Sequence, residues 1–197
     1  MTLAGLLLAA GAGRRMGRAK ALVEVAGEPL VQRGIRLLRE GGCDPVVVVV
    51  GAAADEVRPL CAGAAVVHAT EWEIGMAASL RAGLAAVDSA ACVVALVDQP
   101  FVTPEVVQRL RDAHEAGAAA VVASYAGRPR NPVLLDRRLW SDVAATVTGD
   151  EGARSWLRAH PDVVVEVDCT DIGSPDDLDT PQDLDALDHR ISREAAR

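Results

Sequence analysis

An α/β fold, with a mostly parallel sheet and helices on both faces, is what this 197-residue sequence predicts. Three observations carry the prediction. Short, continuous apolar runs of the kind buried on both faces recur, at Leu3 to Leu8, Val46 to Val50 and Cys92 to Val97. Stretches with helical spacing separate them. The connections are short, and neither an internal repeat nor a low-complexity linker interrupts the rhythm.

In chain order, Leu3 to Leu8 reads as a buried first strand rather than a secretory signal, because no basic region precedes it and arginines follow at once. Pro29 to Arg39 has apolar Leu30, Ile35, Leu37 and Leu38 against polar Arg33, Arg36 and Arg39, which predicts a helix. The five valines from Val46 form the second strand. Asp55 to Leu60 reads as a short helix, Ala65 to His68 as a strand, Met76 to Val87 as a helix and Cys92 to Val97 as a buried strand. Pro104 opens a further helix, with Thr103 as its N-cap. Val121 and Val122 lie in the next strand, and Asp162 to Asp168 alternates into another. Between 124 and 150 the composition shifts toward Arg, Pro and aromatics in YAGRPRNPVLLDRRLW, which predicts a small antiparallel excursion covering a site. Asp185 to Arg197 reads as a charged helix or a frayed end.

Composition bounds the function. Residues 1–197 are expected to form one domain, since a domain takes roughly 100–200 residues. Half of the residues are hydrophobic and only 3% aromatic, so Val, Leu and Ala must fill the core. No apolar run reaches the roughly 18 residues of a membrane span. Cys43, Cys61, Cys92 and Cys169 form no CxxC pair, and the expectation is reduced thiols in a cytoplasmic protein. A net charge of -8 argues against nucleic acid as a partner, but not against a nucleotide, which needs only a local positive site.

That site is predicted at LAAGAGRRMGRAK, Leu8 to Lys20, just after the first strand. In an open parallel sheet ligands bind where strands end and helices begin. Gly11 and Gly13 permit positive φ and let backbone N–H groups face an anion. Arg14, Arg15, Arg18 and Lys20 bring positive charge to the same turn, as a polyphosphate cradle requires. The P-loop pattern is absent, and Gly11, Gly13 and Gly17 give GxGxxxG rather than the dinucleotide spacing, which disfavours a nicotinamide-dependent oxidoreductase. A glycine turn with solvated arginines is the plainer alternative.

Asp98, in ALVDQPFVTP, ends a buried strand on the same sheet edge, well placed to hold Mg²⁺ or, equally, to form a turn. The run DIGSPDDLDTPQDLD offers further carboxylates, while Thr180 and Pro181 make a good helix start. His68 and His114 read as packed or surface histidines. Trp72 and Trp140 read as apolar walls of the cleft, Trp156 as core, and Met16 as an anchor of the glycine loop. Asp150 and Arg154 read as acceptor contacts or as capping and surface residues.

LAAGAGRRMGRAK resembles the LAAGxGxRMGxxK signature of the molybdopterin nucleotidyltransferases (MobA-like NTP transferases). GMAASLRAGL, LVDQP, GDEGAR and DLDTPQDL agree in order; the last pair narrows the match toward the molybdopterin branch, within which the chain resembles the molybdenum cofactor cytidylyltransferases. The resemblance implies a Rossmann-like fold of the nucleotide-diphospho-sugar transferase type. It implies a Mg²⁺-dependent enzyme that moves CMP from CTP to a phosphorylated acceptor, molybdopterin, and releases pyrophosphate. By the same resemblance Ala9, Ala10 and Gly11 pass along base and sugar, and Gly13, Arg15 and Lys20 hold the triphosphate. Arg15 and Lys20 stabilise the transition state, Gly75 and Ser79 contact cytosine or ribose, and Asp98 and Asp179 bind the metal. Relatives with LAGG, and Met after the Asp, use GTP; Ala10 and Gln99 favour CTP. The branch carries Gly-His-Pro-Val where this chain has Arg130-Asn131-Pro132-Val133, at a segment expected to face the acceptor. A transferase for another small phosphorylated metabolite, or a non-catalytic protein that delivers the molybdenum cofactor to a recipient molybdoenzyme, are the alternatives.

Overall fold

The computed structural model describes residues 2–184 and residue 187. Apart from Leu187, the predicted tail 185–197 lies outside them. Nine strands are ordered along the described chain: β1 Leu3–Ala9, β2 Glu24–Val25, β3 Glu28–Pro29, β4 Val46–Val50, β5 Ala65–His68, β6 Ala91–Leu96, β7 Ala120–Tyr125, β8 Arg128–Asp136 and β9 Val164–Asp168. The helices are α1 Leu30–Glu40, α2 Ala54–Val57, α3 Met76–Ala86, α4 Pro104–Glu115, α5 Trp140–Thr146 and α6 Arg154–Ala159. Seven strands form one sheet in the order β5-β4-β1-β6-β8-β7-β9, and β2 and β3 form a separate hairpin. β1 is parallel to both β4 and β6, with Leu6 opposite Val47 and Val94.

The layers follow from strand alternation. Leu7, Ala9, Val48 and Val93 face α1 and α4, packing with Ile35, Leu38, Val106 and Leu110. Ala4, Leu6, Leu8 and Val47 face α3, α5 and α6, packing with Leu80, Leu84, Val143 and Trp156. Small residues let the helices approach: a Cβ on Gly34 of α1 would lie 2.7 Å from Leu7, and one on Gly83 of α3 2.5 Å from Leu6.

The structure corrects two expectations. The segment after 124 is antiparallel as predicted, but it is no excursion. β8 inserts into the main sheet between β6 and β7, antiparallel to both. Thr103 does occupy the N-cap of α4, yet its hydroxyl donates to the Ile172 carbonyl at 2.8 Å and caps nothing.

Candidate functional site

β1 and β6 are adjacent and parallel, so the residues that follow them meet at one rim. After β1 the chain enters the glycine loop. Gly13 has φ +59°, and a Cβ there would lie 2.0 Å from the Arg18 carbonyl oxygen; only glycine closes this turn. Met16 lies buried against the core and pins the loop, as expected. Gly11 differs from expectation. It does not have positive φ, and a Cβ on it would meet open space.

The four cations do not converge. Arg14 and Lys20 line the cleft. Arg15 turns to Asp179, with Nη2 2.8 Å from Oδ2, and the Arg18 guanidinium donates to the Leu22 carbonyl. Lys20 is the centre of the arrangement. Its side chain is only 17% exposed, and Nζ lies 2.6 Å from Asp98 Oδ2 and 2.5 Å from Asp179 Oδ1. Burial opposes the ammonium, but the charges of Asp98 and Asp179 and their hydrogen bonds outweigh it, so its pKa is raised above the ordinary lysine value.

The acidic segment is strapped to the end of β6. The Leu178 N–H donates to the Asp98 carbonyl at 2.8 Å, and the Leu178 side chain is buried in the core. Gln99 Nε2 donates to the Pro175 carbonyl at 3.1 Å and to Asp177 Oδ1 at 2.9 Å. Burial, together with the negative charge of Asp98, pushes the Asp177 carboxyl up. The hydrogen bond from Lys20 holds Asp179 down. Thr180 and Asp183 form a reciprocal cap: Thr180 Oγ1 accepts from the Asp183 N–H, and Asp183 Oδ2 accepts from the Thr180 N–H.

A cleft of about 340 Å³ lies between the glycine loop and the N-terminus of α3. Leu8, Leu96 and Val97 contribute to its lining, and Trp72, Met76 and Ser79 form the wall opposite the loop. Gly75 has φ +127°, and a Cβ there would lie 2.6 Å from the Gly149 carbonyl oxygen. The loop 147–153 is sewn to α3 here: the Ala77 N–H donates to the Gly149 carbonyl and the Met76 N–H to Asp150 Oδ1.

Of the predicted site residues, Ala10, Gly11, Gly13, Lys20, Gly75, Ser79 and Asp98 line this cleft. Three do not. Ala9 faces the opposite layer, buried in the core against the α1 side of the sheet. Arg15 and Asp179 pair with one another beside it, and Asp179 reaches the cleft through Lys20. Gln99, expected to favour one base, is buried away from the cleft. Trp140 is likewise no wall: it is buried, with Nε1 donating to the Leu135 carbonyl. Arg14 and Glu73 line the cleft without having been singled out as individual contacts.

Among the described residues no group of three or more His, Cys, Asp or Glu is arranged to hold a metal. Two carboxylates, Asp98 and Asp179, do converge on a single cation, the Lys20 ammonium. Hard oxygen donors of this number suit Mg²⁺, which takes one or two carboxylates and completes its shell with phosphate oxygens and water.

Residues 5–164 match the MobA-like NTP transferase domain. The chain belongs to that family. A molybdenum cofactor guanylyltransferase from Rhodobacter capsulatus is 33% identical to this MobA-like chain, over 99% of the chain and 100% of the relative. A nicotine blue oxidoreductase from Paenarthrobacter nicotinovorans is 40% identical, over 91% and 93%. In structure, the Rv0371c homologue from Mycobacterium sp. strain JC1 superposes with a TM-score of 0.86 at 30% identity, covering 97% of both chains. A complex of Rv0371c from Mycobacterium tuberculosis H37Rv with manganese superposes at 0.78 and 28% identity, covering 96% of this chain and 99% of that one.

Proposed function

We propose that this MobA-like nucleotidyltransferase moves CMP from CTP to molybdopterin and releases pyrophosphate. The observation that carries the reading is the Lys20 ammonium held between Asp98 and Asp179 at the rim where the glycine loop leaves β1. This puts a positive group and two metal-type ligands beside an open backbone turn, the parts that a triphosphate and its counter-ion need. Ala10 lines the cleft, and by the family resemblance alanine at this position supports CTP. Gln99 lends no support, since its amide faces the acidic segment.

In the proposed reaction an acceptor phosphate oxygen attacks the α-phosphorus of CTP in line. The new P–O bond forms as the bond to the bridging oxygen breaks, and that electron pair leaves with pyrophosphate. The acceptor phosphate is already ionised, so no strong base is required. Lys20 offsets charge that builds on the phosphates, and Arg14 adds positive potential at the cleft wall. Mg²⁺, when held by Asp98 and Asp179, supplies further neutralisation and alignment of phosphate oxygens. A recipient molybdoenzyme and a cytoplasmic location belong to the same proposal. The four cysteines are free and buried, and among the described residues no helix is long and apolar enough to cross a membrane.

The test is pyrophosphate release with Mg²⁺ and CTP or GTP, with and without molybdopterin. Pterin-dependent release with CTP and little with GTP supports the reading, and the reverse preference overturns the nucleotide assignment. The 40% identity to the nicotine blue oxidoreductase favours a second reading, reduction of a small aromatic acceptor by a nicotinamide cofactor. Oxidation of NADH or NADPH by nicotine blue in the presence of the protein, without pyrophosphate release in the first assay, would establish that reading instead.

A further inference from the structure

Asp98 and Asp179 come from distant parts of the chain, the end of β6 and the acidic segment, yet they meet at one ammonium. Both oxygens of Asp179 are engaged by cations: Oδ1 by Lys20 at 2.5 Å and Oδ2 by Arg15 at 2.8 Å. A metal ion on the two carboxylates draws on the same oxygens and repels both cations. The ion pairs that join Asp98 to Asp179 in this structure therefore weaken when a metal enters, and other contacts must keep the two carboxylates at one spacing.

The contacts that leave both carboxylates free are few. Upstream, Thr103 Oγ1 donates to the Ile172 carbonyl at 2.8 Å and the Ser174 N–H to the Phe101 carbonyl at 3.2 Å. Downstream, the Asp179 N–H donates to Asp183 Oδ2 at 3.0 Å. Between them, the Leu178 N–H donates to the Asp98 carbonyl at 2.8 Å, and Gln99 Nε2 grips the Pro175 carbonyl at 3.1 Å and Asp177 Oδ1 at 2.9 Å. Gln99 is next in sequence to one carboxylate and holds the chain two residues before the other. Its side chain is buried, and one amide nitrogen supplies both donors. It does not line the nucleotide cleft.

We propose that Gln99 is a positioning residue for the metal site: its carboxamide clamps the acidic segment to the end of β6 and so sets the spacing of Asp98 and Asp179. The inference rests on the assignment of these two carboxylates to a divalent metal. Gln99 touches neither the metal nor the nucleotide. It acts through Asp179, by way of the backbone from Pro175 to Leu178, as the groups that hold metal ligands in place do at other sites. Metal affinity, and not the choice of base, is then what depends on this residue.

The experiment is a double-mutant cycle on Mn²⁺ binding to the nucleotide-free full chain, read by electron paramagnetic resonance. Its members are wild type, Gln99→Leu, Asp179→Asn and the double variant. Gln99→Asn, too short to reach both acceptors, is a second form of the Gln99 change in case the leucine variant does not fold, and circular dichroism checks each protein. The expected result is a Mn²⁺ Kd raised about fivefold or more by either Gln99 change, approaching the roughly 10–100-fold cost of losing a group that holds a ligand directly. With Asp179→Asn in place, the same change alters Kd by less than about twofold, because the ligand it acts through is already lost. A merely structural role gives the same factor in both backgrounds. An unchanged Kd in the Gln99 variants, or equal factors with and without Asp179, overturns the proposal and leaves the metal assignment standing. No saturable Mn²⁺ binding in wild type, or binding that Asp179→Asn leaves unchanged, overturns the metal assignment and the proposal with it.

Discussion

Replacing Gln99 by Leu separates two roles for this residue. Its side chain is 6% exposed, and its amide orientation is fixed because both partners of Nε2, the Pro175 carbonyl and Asp177 Oδ1, can only accept. Leu removes both hydrogen bonds at similar volume. The partly buried Pro175 carbonyl left unpaired costs about 1 kcal/mol, and the Asp177 carboxylate, whose residue is exposed, about 1–1.5 kcal/mol. Gln99 Oε1 is itself buried without a partner, so removing it returns about 1 kcal/mol. The net loss expected is about 1–1.5 kcal/mol, or a Tm lowered by about 2–6 °C for a chain of this size. The Asp177 carboxyl, already pushed up by burial and Asp98, rises further once its donor is gone. A carboxyl raised in the folded state weighs against folding when ionised, so the variant recovers part of its loss as pH falls through the carboxylate range. Because Gln99 lies outside the cleft, the ratio of kcat/KM for CTP to that for GTP stays within about threefold of wild type. Urea unfolding at two pH values, together with that ratio, makes the test. A shifted nucleotide preference with unchanged stability would refute the reasoning.

Lys20→Ala should lower kcat at least a hundredfold while weakening CTP binding less, in line with the roughly 10²–10³ cost of losing one preorganised electrostatic group; near-wild-type kcat sinks the role. The same variant frees Asp98 and Asp179 from their ammonium, so Mn²⁺ binding to the nucleotide-free protein, read by electron paramagnetic resonance, should tighten. Gly13→Ala combines about 1–2 kcal/mol of left-handed strain with a Cβ only 2.0 Å from the Arg18 carbonyl oxygen and should lower both Tm and CTP affinity. Gly11→Ala meets no atom and should leave Tm unchanged while weakening CTP; equal effects on both quantities in the two variants would count against the cradle. The hydrogen bond from Arg36 holds Glu28 below the ordinary carboxylate range, as that from Lys20 holds Asp179. Stability from these pairs is complete above about pH 4.5 and drains as pH falls below it, and Arg36→Gln should flatten that loss by no more than about 1 kcal/mol. An unaltered acid transition in the variant would show that the pair is solvated.

The parallel half of the fold was legible because its strands are uninterrupted apolar runs; Val46–Val50 admits no other reading. β8 was not, because Pro129, Asn131 and Pro132 break its pattern. Asn131 and Pro132 are tolerated as the partnerless residues of the bulge, and Pro129, opposite Ser124, lies beyond the stretch paired with β6. The two hairpin turns were hidden for a related reason. Each is an Ala-Gly pair with both residues at positive φ, Ala26-Gly27 and Ala126-Gly127, and alanine carries no turn signal. At the site, Lys20, Asp98 and Gly13 were readable from residue type and strand position. Which way Ala9, Arg15, Arg18, Gln99 and Trp140 point was not, because those directions depend on strand parity and on partners far away in sequence, such as Asp179 and Asp177.

The reversal of direction at β8 has a consequence for how such a protein can change. Where β6 hands over a chain that is leaving the sheet, β8 presents one that is entering it, so a departing loop and an arriving strand share the same rim. The stretch up to Asp98 can therefore stay fixed while the residues that open β8 are exchanged, since the apolar register from Val133 onward is what binds that strand to its neighbours. Substitutions in the first few residues of β8 can therefore reshape this rim without touching the register that holds the sheet together.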